Sequence, residues 1–151
     1  MKGLAAIRNL KRRFEGFEEN INSTVSQALR YNEDWLIDLN AFFQLYEKGV
    51  NALGVEIASY EPYSMYTVRI KGMLGQPTDR VTLKDTGDFH DSFYVIYRED
   101  EFEITASDDK REALVRRYGP EIFGLTPENM EVVRNDIIKP YLELMLKHGI
   151  L

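Results

Sequence analysis

The feature that most constrains this chain is a run of apolar residues at helical spacing that begins just after residue 24. Val25, Leu29, Asn32, Leu36, Leu39, Phe43 and Tyr46 follow at alternating steps of four and three, which places them on one face of a helix. Trp35, Ile37, Phe42 and Leu45 widen that face, so one side of the helix meets a core and the other a neighbour. Thr24 with Gln27 three residues on fits a capping box and predicts the start, while Gly49 predicts the stop. Asn32 reads as a locally hydrogen-bonded polar residue within the stripe. A shorter helix is expected over about 4–19, with Leu4, Ile7, Leu10, Phe14 and Phe17 as its apolar set.

Periodicity weakens over 49–84, where Gly49, Gly54, Gly72, Gly75, Pro62 and Pro77 punctuate the chain. This is too long for a plain connector and reads as an interaction loop, since long loops usually carry function. For 62–71 two readings stay open: a short helix, or a strand over 66–71 because Tyr66, Val68 and Ile70 alternate. Beyond it, Ser92–Tyr97 and Phe102–Ala106 predict a β-hairpin turning at Arg98-Glu99-Asp100. A helix follows over about 108–118, ended by Gly119-Pro120. Thr126 caps the last helix, with Pro127 at its first position and Pro140 inside it as an expected kink. Met130, Val133, Ile137, Tyr141, Leu144 and Met145 give its buried face, and Gly149 closes it. These elements predict one α+β domain: long N-terminal helices (1–48), the loop (49–84), then a small antiparallel sheet with a C-terminal helix packed on it (85–151). A length of 151 residues fits a single core.

Composition narrows the chemistry. The chain has no cysteine, which excludes disulfides, thiolate nucleophiles and cysteine-bound zinc. No apolar run approaches the ~20 residues of a membrane span. The N-terminus reads as mature sequence without a cleavage-site pattern, so an intracellular protein is expected. A net charge of −6 argues against nonspecific nucleic-acid binding by the whole domain. Residues 1–13 nevertheless carry Lys2, Arg8, Lys11, Arg12 and Arg13 with no acid, leaving DNA contact open only through that basic arm.

The densest polar cluster is Asp85-Thr86-Gly87-Asp88-Phe89-His90-Asp91-Ser92. Its glycine stands at the third position, where a calcium-binding EF-hand loop needs an oxygen ligand. The His90-Asp91 pair has only His148 as a further imidazole, too little for a metal-dependent hydrolase. A single Asp-Thr-Gly triplet serves an aspartic protease only as a homodimer, and no apolar strand precedes Asp85. Nucleophile-elbow, phosphate-loop and zinc-helix motifs are absent from the sequence. The cluster therefore reads as a tight turn: Asp85 or Thr86 bonds back to the main chain, Gly87 supplies the permissive φ, and Asp88 or Asp91 caps or solvates the strand entry. No catalytic residue, cofactor, metal or small-molecule substrate is expected. Nine tyrosines favour an interaction protein over an enzyme, with Trp35, Phe42, Tyr60, Tyr63 and Tyr66 as candidate interface residues.

The segment Val81-Thr-Leu83-Lys-Asp85-Thr-Gly87-Asp-Phe89-His-Asp-Ser92-Phe93 resembles the Leu-Lys/Arg-Asp-Thr-Gly-x-Leu-x-x-Ser-Ile signature of small tail-completion and virion-morphogenesis proteins of tailed bacteriophages, particularly those of Bacteroidetes. Leu83, Asp85, Thr86, Gly87 and Ser92 match it, while Phe89 and Phe93 replace aliphatic residues. Tyr60-Glu-Pro-Tyr63 and Lys71-Gly72 upstream, and Tyr118-Gly119 through Thr126 downstream, are similar in order to that family's flanking segments. The family's Tyr-Ala-x-x-His-x-x-Gly stretch after the hairpin is missing; the charged 108–117 segment stands there. The resemblance covers about 55–149. It implies a virion protein of the neck or tail, without catalysis, that forms a homo-oligomeric ring with other neck or tail proteins in the virion and is made in the host cytoplasm. On that implication Asp85, Thr86, Gly87 and Ser92 shape the turn. The alternatives are a nucleic-acid-associated protein using the basic arm, or a small hydrolase using Asp85, Asp88, His90 and Asp91.

Overall fold

In the computed structural model, which describes residues 2–151 and their side chains from Leu4 onward, the chain has an α+β fold. The first helix, α1 (Lys2–Tyr31), runs unbroken for 30 residues. It does not restart at Thr24 as the capping pattern predicts. Thr24 is buried in mid-helix, and its hydroxyl donates to the Asn20 carbonyl at 2.7 Å, the back-bond threonine makes inside a helix. Nothing between 20 and 24 is a glycine or proline, so local hydroxyl chemistry alone does not end the helix.

The break falls instead at Asn32, whose side-chain amide donates to the Ala28 carbonyl at 2.8 Å. The helix resumes as α2 (Glu33–Asp38) and passes directly into a π-helical stretch, Leu39–Lys48. Gly49 stops it with φ at +64°, where an added Cβ would stand 2.9 Å from the Arg80 Cβ. The predicted stripe is thus partly realised. Leu29, Leu36 and Leu39 are core residues, but Phe43 is exposed, and Ala28, Ala41 and Leu45 take core positions. The π-turns rotate the buried face away from the α-helical expectation, since each spans one more residue than an α-turn.

The 49–84 segment is ordered by short-range contacts rather than forming one open loop. Asn51 is fully buried; its side-chain Oδ1 accepts the Leu53 and Val55 amides, and its Nδ2 donates to the Tyr60 hydroxyl. Of the two readings for 62–71, the helix is found. This is α3 (Met65–Met73), capped by Ser64, whose hydroxyl accepts the Thr67 amide at 3.1 Å. A single helical turn, α4 (Asp88–Asp91), then leads into the hairpin of β1 (Phe93–Tyr97) and β2 (Phe102–Ala106). The strands are antiparallel, with Val95 opposite Ile104. The helix predicted at 108–118 is α5 (Arg111–Tyr118).

The closing helix begins as predicted, with the Thr126 hydroxyl accepting the Asn129 amide at 3.2 Å and Pro127 in the first turn. It comprises α6 (Pro127–Val132), a π-helical stretch (Val133–Ile138) and α7 (Lys139–Lys147). The π spacing lies just ahead of Pro140, whose missing amide would leave an α-helical bond unmade. Of its predicted buried face, Val133 and Ile137 are core residues while Leu144 is exposed. One apolar core joins these two residues to Leu29, Leu36 and Leu45 of the helical rod and to Val95, Ile104 and Ala106 of the sheet.

Two polar devices fix the layers. Tyr97 donates its hydroxyl proton to Glu33 at 2.9 Å, and the Arg30 guanidinium lies over its ring, tying the hairpin to the α1–α2 break. Burial, then the Glu33 hydrogen bond and charge, raise the Tyr97 phenol far above its usual range. The second device is an amide network around the π-stretch. Asn40 donates to the Ile122 carbonyl and accepts the Gly124 amide; Gln44 donates to the Gly124 carbonyl and accepts from the Thr126 amide and the Asn129 side chain. Both side chains are buried, so these bonds clamp the 122–126 loop on the rod.

Candidate functional site

The Asp-Thr-Gly turn borders a groove of about 440 Å³ between α3, the 83–87 segment and α5. Its floor is built by an unusual main-chain segment. Residues 81–87 run without a strand partner, and Leu83 has φ at +55°, a left-handed conformation that costs a non-glycine residue energy. Side chains take the place of the missing ladder. Thr82 donates its amide to the Tyr63 hydroxyl at 3.0 Å, and its carbonyl is bonded to the His90 Nε2 at 2.9 Å. Lys71 Nζ donates to the Lys84 carbonyl at 2.6 Å and to Gln76 Oε1 at 2.9 Å, while the Gln76 amide donates to the Asp85 carbonyl at 3.1 Å.

Lys71 is only 7% exposed, and its ammonium also lies 5.0 Å from the Tyr63 ring centroid. Its partners are a carbonyl, an amide oxygen and a π-face, all neutral; the charge-assisted bond to Lys84 holds the segment beside its left-handed residue. Nothing in the sequence pattern marks Lys71 or Gln76 for this role. A lysine in a short helix without an apolar stripe looks like any solvated residue.

Each turn-motif residue has a structural partner or place. Thr86 donates its hydroxyl proton to Asp88 Oδ2 at 2.8 Å and accepts the Asp88 amide. Gly87 has φ at +107° and precedes α4, the permissive geometry expected of it. Ser92 donates to the Phe89 carbonyl at 2.7 Å and accepts the Asp108 amide, fixing the start of the strand to the chain that leaves the hairpin. Asp85 has its side chain in solvent and contributes through its carbonyl. Phe89 and Phe93 meet edge to face at 5.1 Å, and Phe93 meets Phe123 at 5.3 Å, so the aromatic replacements in the motif form one buried cluster. Burial, aided by Lys84, lowers the His90 pKa from its ordinary value against the opposing pull of the Thr82 carbonyl and Asp91.

These contacts make a brace. The hydroxyls of Ser64 and Thr67 bond to each other, the imidazole of His90 is held on a carbonyl, and no group of three or more His, Cys, Asp or Glu among the described residues is arranged to hold a metal ion. Lys84, Lys110 and Arg117 line the groove with Asp85 as its acid, and Arg117 pairs with Glu61 at 3.2 Å.

The candidate interface residues separate into two kinds. Trp35, Phe42, Tyr60 and Tyr66 are exposed; Phe42 stacks on Tyr46 at 5.8 Å, and Tyr66 stands at the groove with Ile70 and Leu74. Tyr63 is half-buried and serves the 81–87 segment. Leu4, Ile7, Leu10, Phe14 and Phe17, the apolar set expected of the first helix, are all 48–65% exposed, on a half of α1 that the rest of the described chain leaves uncovered. On the same half-helix, Arg8, Lys11, Arg12 and Arg13 are in solvent, with Lys11 3.7 Å from Glu15. Met1 and the side chain of Lys2, part of the basic arm, lie outside the described residues. No helix of the described chain is long and apolar enough to cross a membrane. Compared with known proteins, the chain matches no family model, no curated protein and no solved structure.

Proposed function

We propose that this chain is a non-enzymatic assembly protein of a tailed-bacteriophage neck or tail, a tail-completion or head–tail connector component that works as a ring in the virion. The phage assignment rests on the Leu83-to-Ser92 signature and its flanking segments. The observation that carries the assembly role is the apolar surface left in solvent on two separate elements, the first half of α1 and α3 with the residue after it, where Met65, Tyr66, Met73 and Leu74 are all exposed. A soluble monomer rarely keeps so many large apolar side chains uncovered in contiguous patches. A ring needs two different faces on each copy, because its contacts are head-to-tail. Two of the signature residues support the non-catalytic half of the reading, since Thr86 and Ser92 use their hydroxyls in bonds within the fold.

Negative-stain imaging and native mass spectrometry of the purified chain, alone and mixed with neck or tail proteins encoded beside it, test this. Closed rings or a defined complex are expected, and a monomer under every condition refutes the proposal. A second reading, contact with nucleic acid, draws on the solvent-exposed Arg8, Arg12 and Arg13. It requires DNA binding that weakens steeply with salt and is lost when these arginines become glutamine.

A further inference from the structure

We infer that the uncovered half of α1 is a self-association helix, and that its occupant is the same helix of a second copy, parallel and in register. Ile7, Phe14 and Ile21 fall at one core position of a heptad repeat and Leu10 and Phe17 at the other, a narrow seam rather than a broad core face. The same seam continues to Thr24 and Ala28, which are buried against the body of the domain. The fold therefore covers one end of the stripe and leaves the other, Ile7 to Phe17 and about 16 Å long at 1.5 Å per residue, in solvent.

Charge fixes the orientation. Flanking the seam are Lys11 and Glu18 on one side and Arg13 on the other. In a parallel pair, the residue just before one heptad core position faces the residue five places later on the neighbour. Arg13 of each copy then meets Glu18 of the next. In the antiparallel pair that covers the same exposed seam, with Leu10 against Phe14 and Ile7 against Phe17, positions of the same kind face each other, which sets Lys11 beside Lys11 and Arg13 beside Arg13. Lys11 already has Glu15 of its own helix at 3.7 Å, so it does not need an acid from the partner.

This inference rests on the assembly reading to the extent that both require the chain to self-associate, and the test separates them. The natural chain has no cysteine, so Phe14→Cys introduces a unique thiol facing its own copy across a parallel seam. Mild oxidation of Phe14→Cys alone is expected to give a cross-linked dimer. Cross-linking only when Phe14→Cys is mixed with Leu10→Cys signals the antiparallel pair and overturns the inference. In a second arm, Arg13→Glu is expected to weaken self-association about tenfold or more, and Arg13→Glu/Glu18→Arg to restore it. Failure of the double variant to restore it also overturns the inference. Circular dichroism confirms that these solvent-exposed substitutions leave the fold intact. An oligomer whose mass is unchanged by Ile7→Gln/Phe14→Gln refutes the helix pairing and leaves the assembly reading standing; a natural chain that stays monomeric refutes both.

Discussion

Replacing Gln44 with leucine tests the amide network that holds the 122–126 loop on the helical rod. Gln44 is 1% exposed and makes three hydrogen bonds: to the Gly124 carbonyl at 2.9 Å, from the Thr126 amide at 2.8 Å and from the Asn129 side chain at 2.7 Å. Asn129 keeps a second acceptor in the Leu39 carbonyl, so its loss is partial. The Gly124 carbonyl and Thr126 amide keep no such alternative. Two stranded groups at 1–3 kcal/mol each give a cost of about 2–6 kcal/mol. The leucine side chain returns about 1–2 kcal/mol through apolar burial. The net expectation is a loss of about 3 kcal/mol, against the 5–15 kcal/mol total typical of a domain. In a chain of this length that lowers Tm by about 6–12 °C. Urea titration read by circular dichroism measures it as a lower midpoint with an unchanged slope. A loss under about 0.5 kcal/mol would show that the network contributes nothing net, and would refute the claim that it clamps the loop.

Three further outcomes follow from particular residues. Gly49→Ala should destabilise by at least about 1 kcal/mol in the same titration, because a side chain there combines a left-handed φ with a close approach to Arg80; an unchanged midpoint would mean the helix stop relaxes freely. Thr24→Ala should change stability by less than about 0.5 kcal/mol, since alanine's better helix propensity offsets a lost back-bond and methyl; a helix-starting cap would cost ~1 kcal/mol. For His90, the folded pKa lies below the ordinary value of 6.5. Between the two values the unfolded chain binds more protons, so this contribution is present above about pH 6.5 and is lost as pH falls. Urea midpoints compared at neutral and mildly acidic pH should therefore drop on acidification, and drop less in His90→Gln; an equal drop in both would remove His90 as the cause.

Where a local rule decides the structure, the sequence was readable. Gly49 stops the rod, Thr126 with Pro127 starts the last helix, and the alternation in Ser92–Tyr97 and Phe102–Ala106 makes a hairpin with strands at Phe93–Tyr97 and Phe102–Ala106. The misreadings share a physical cause, competition from something non-local. Thr24 looked like a cap because its hydroxyl suits one, but the helix continues on both sides and takes that hydroxyl as a back-bond. Asn40 and Gln44 sat within an apolar stripe and gave no sign of facing a loop 80 residues away, because α-helical spacing does not describe a π-turn. Lys71 was invisible for the opposite reason, since burying an ammonium depends on carbonyls supplied by a distant segment. Leu4 to Phe17 obeyed their pattern, but a pattern records that a face needs covering and not which molecule covers it. At the candidate site, the turn formed by Thr86, Gly87 and Ser92 was legible and the brace beneath it was not.

The π-helical stretch Leu39–Lys48 bears on how the chain accommodates changes in its own length. A turn that closes its hydrogen bond five residues back holds one residue more than an α-turn, so losing a residue there is repaired by closing the bond four back. A deletion inside this rod can thus leave a continuous helix, where the same deletion in most helices shifts every contact beyond it. What such a deletion removes is the aim of the Asn40 and Gln44 amides at the 122–126 loop. Insertion and deletion scanning across the rod would then separate two properties that most helices keep bound together: persistence of the helix and attachment of the distant loop.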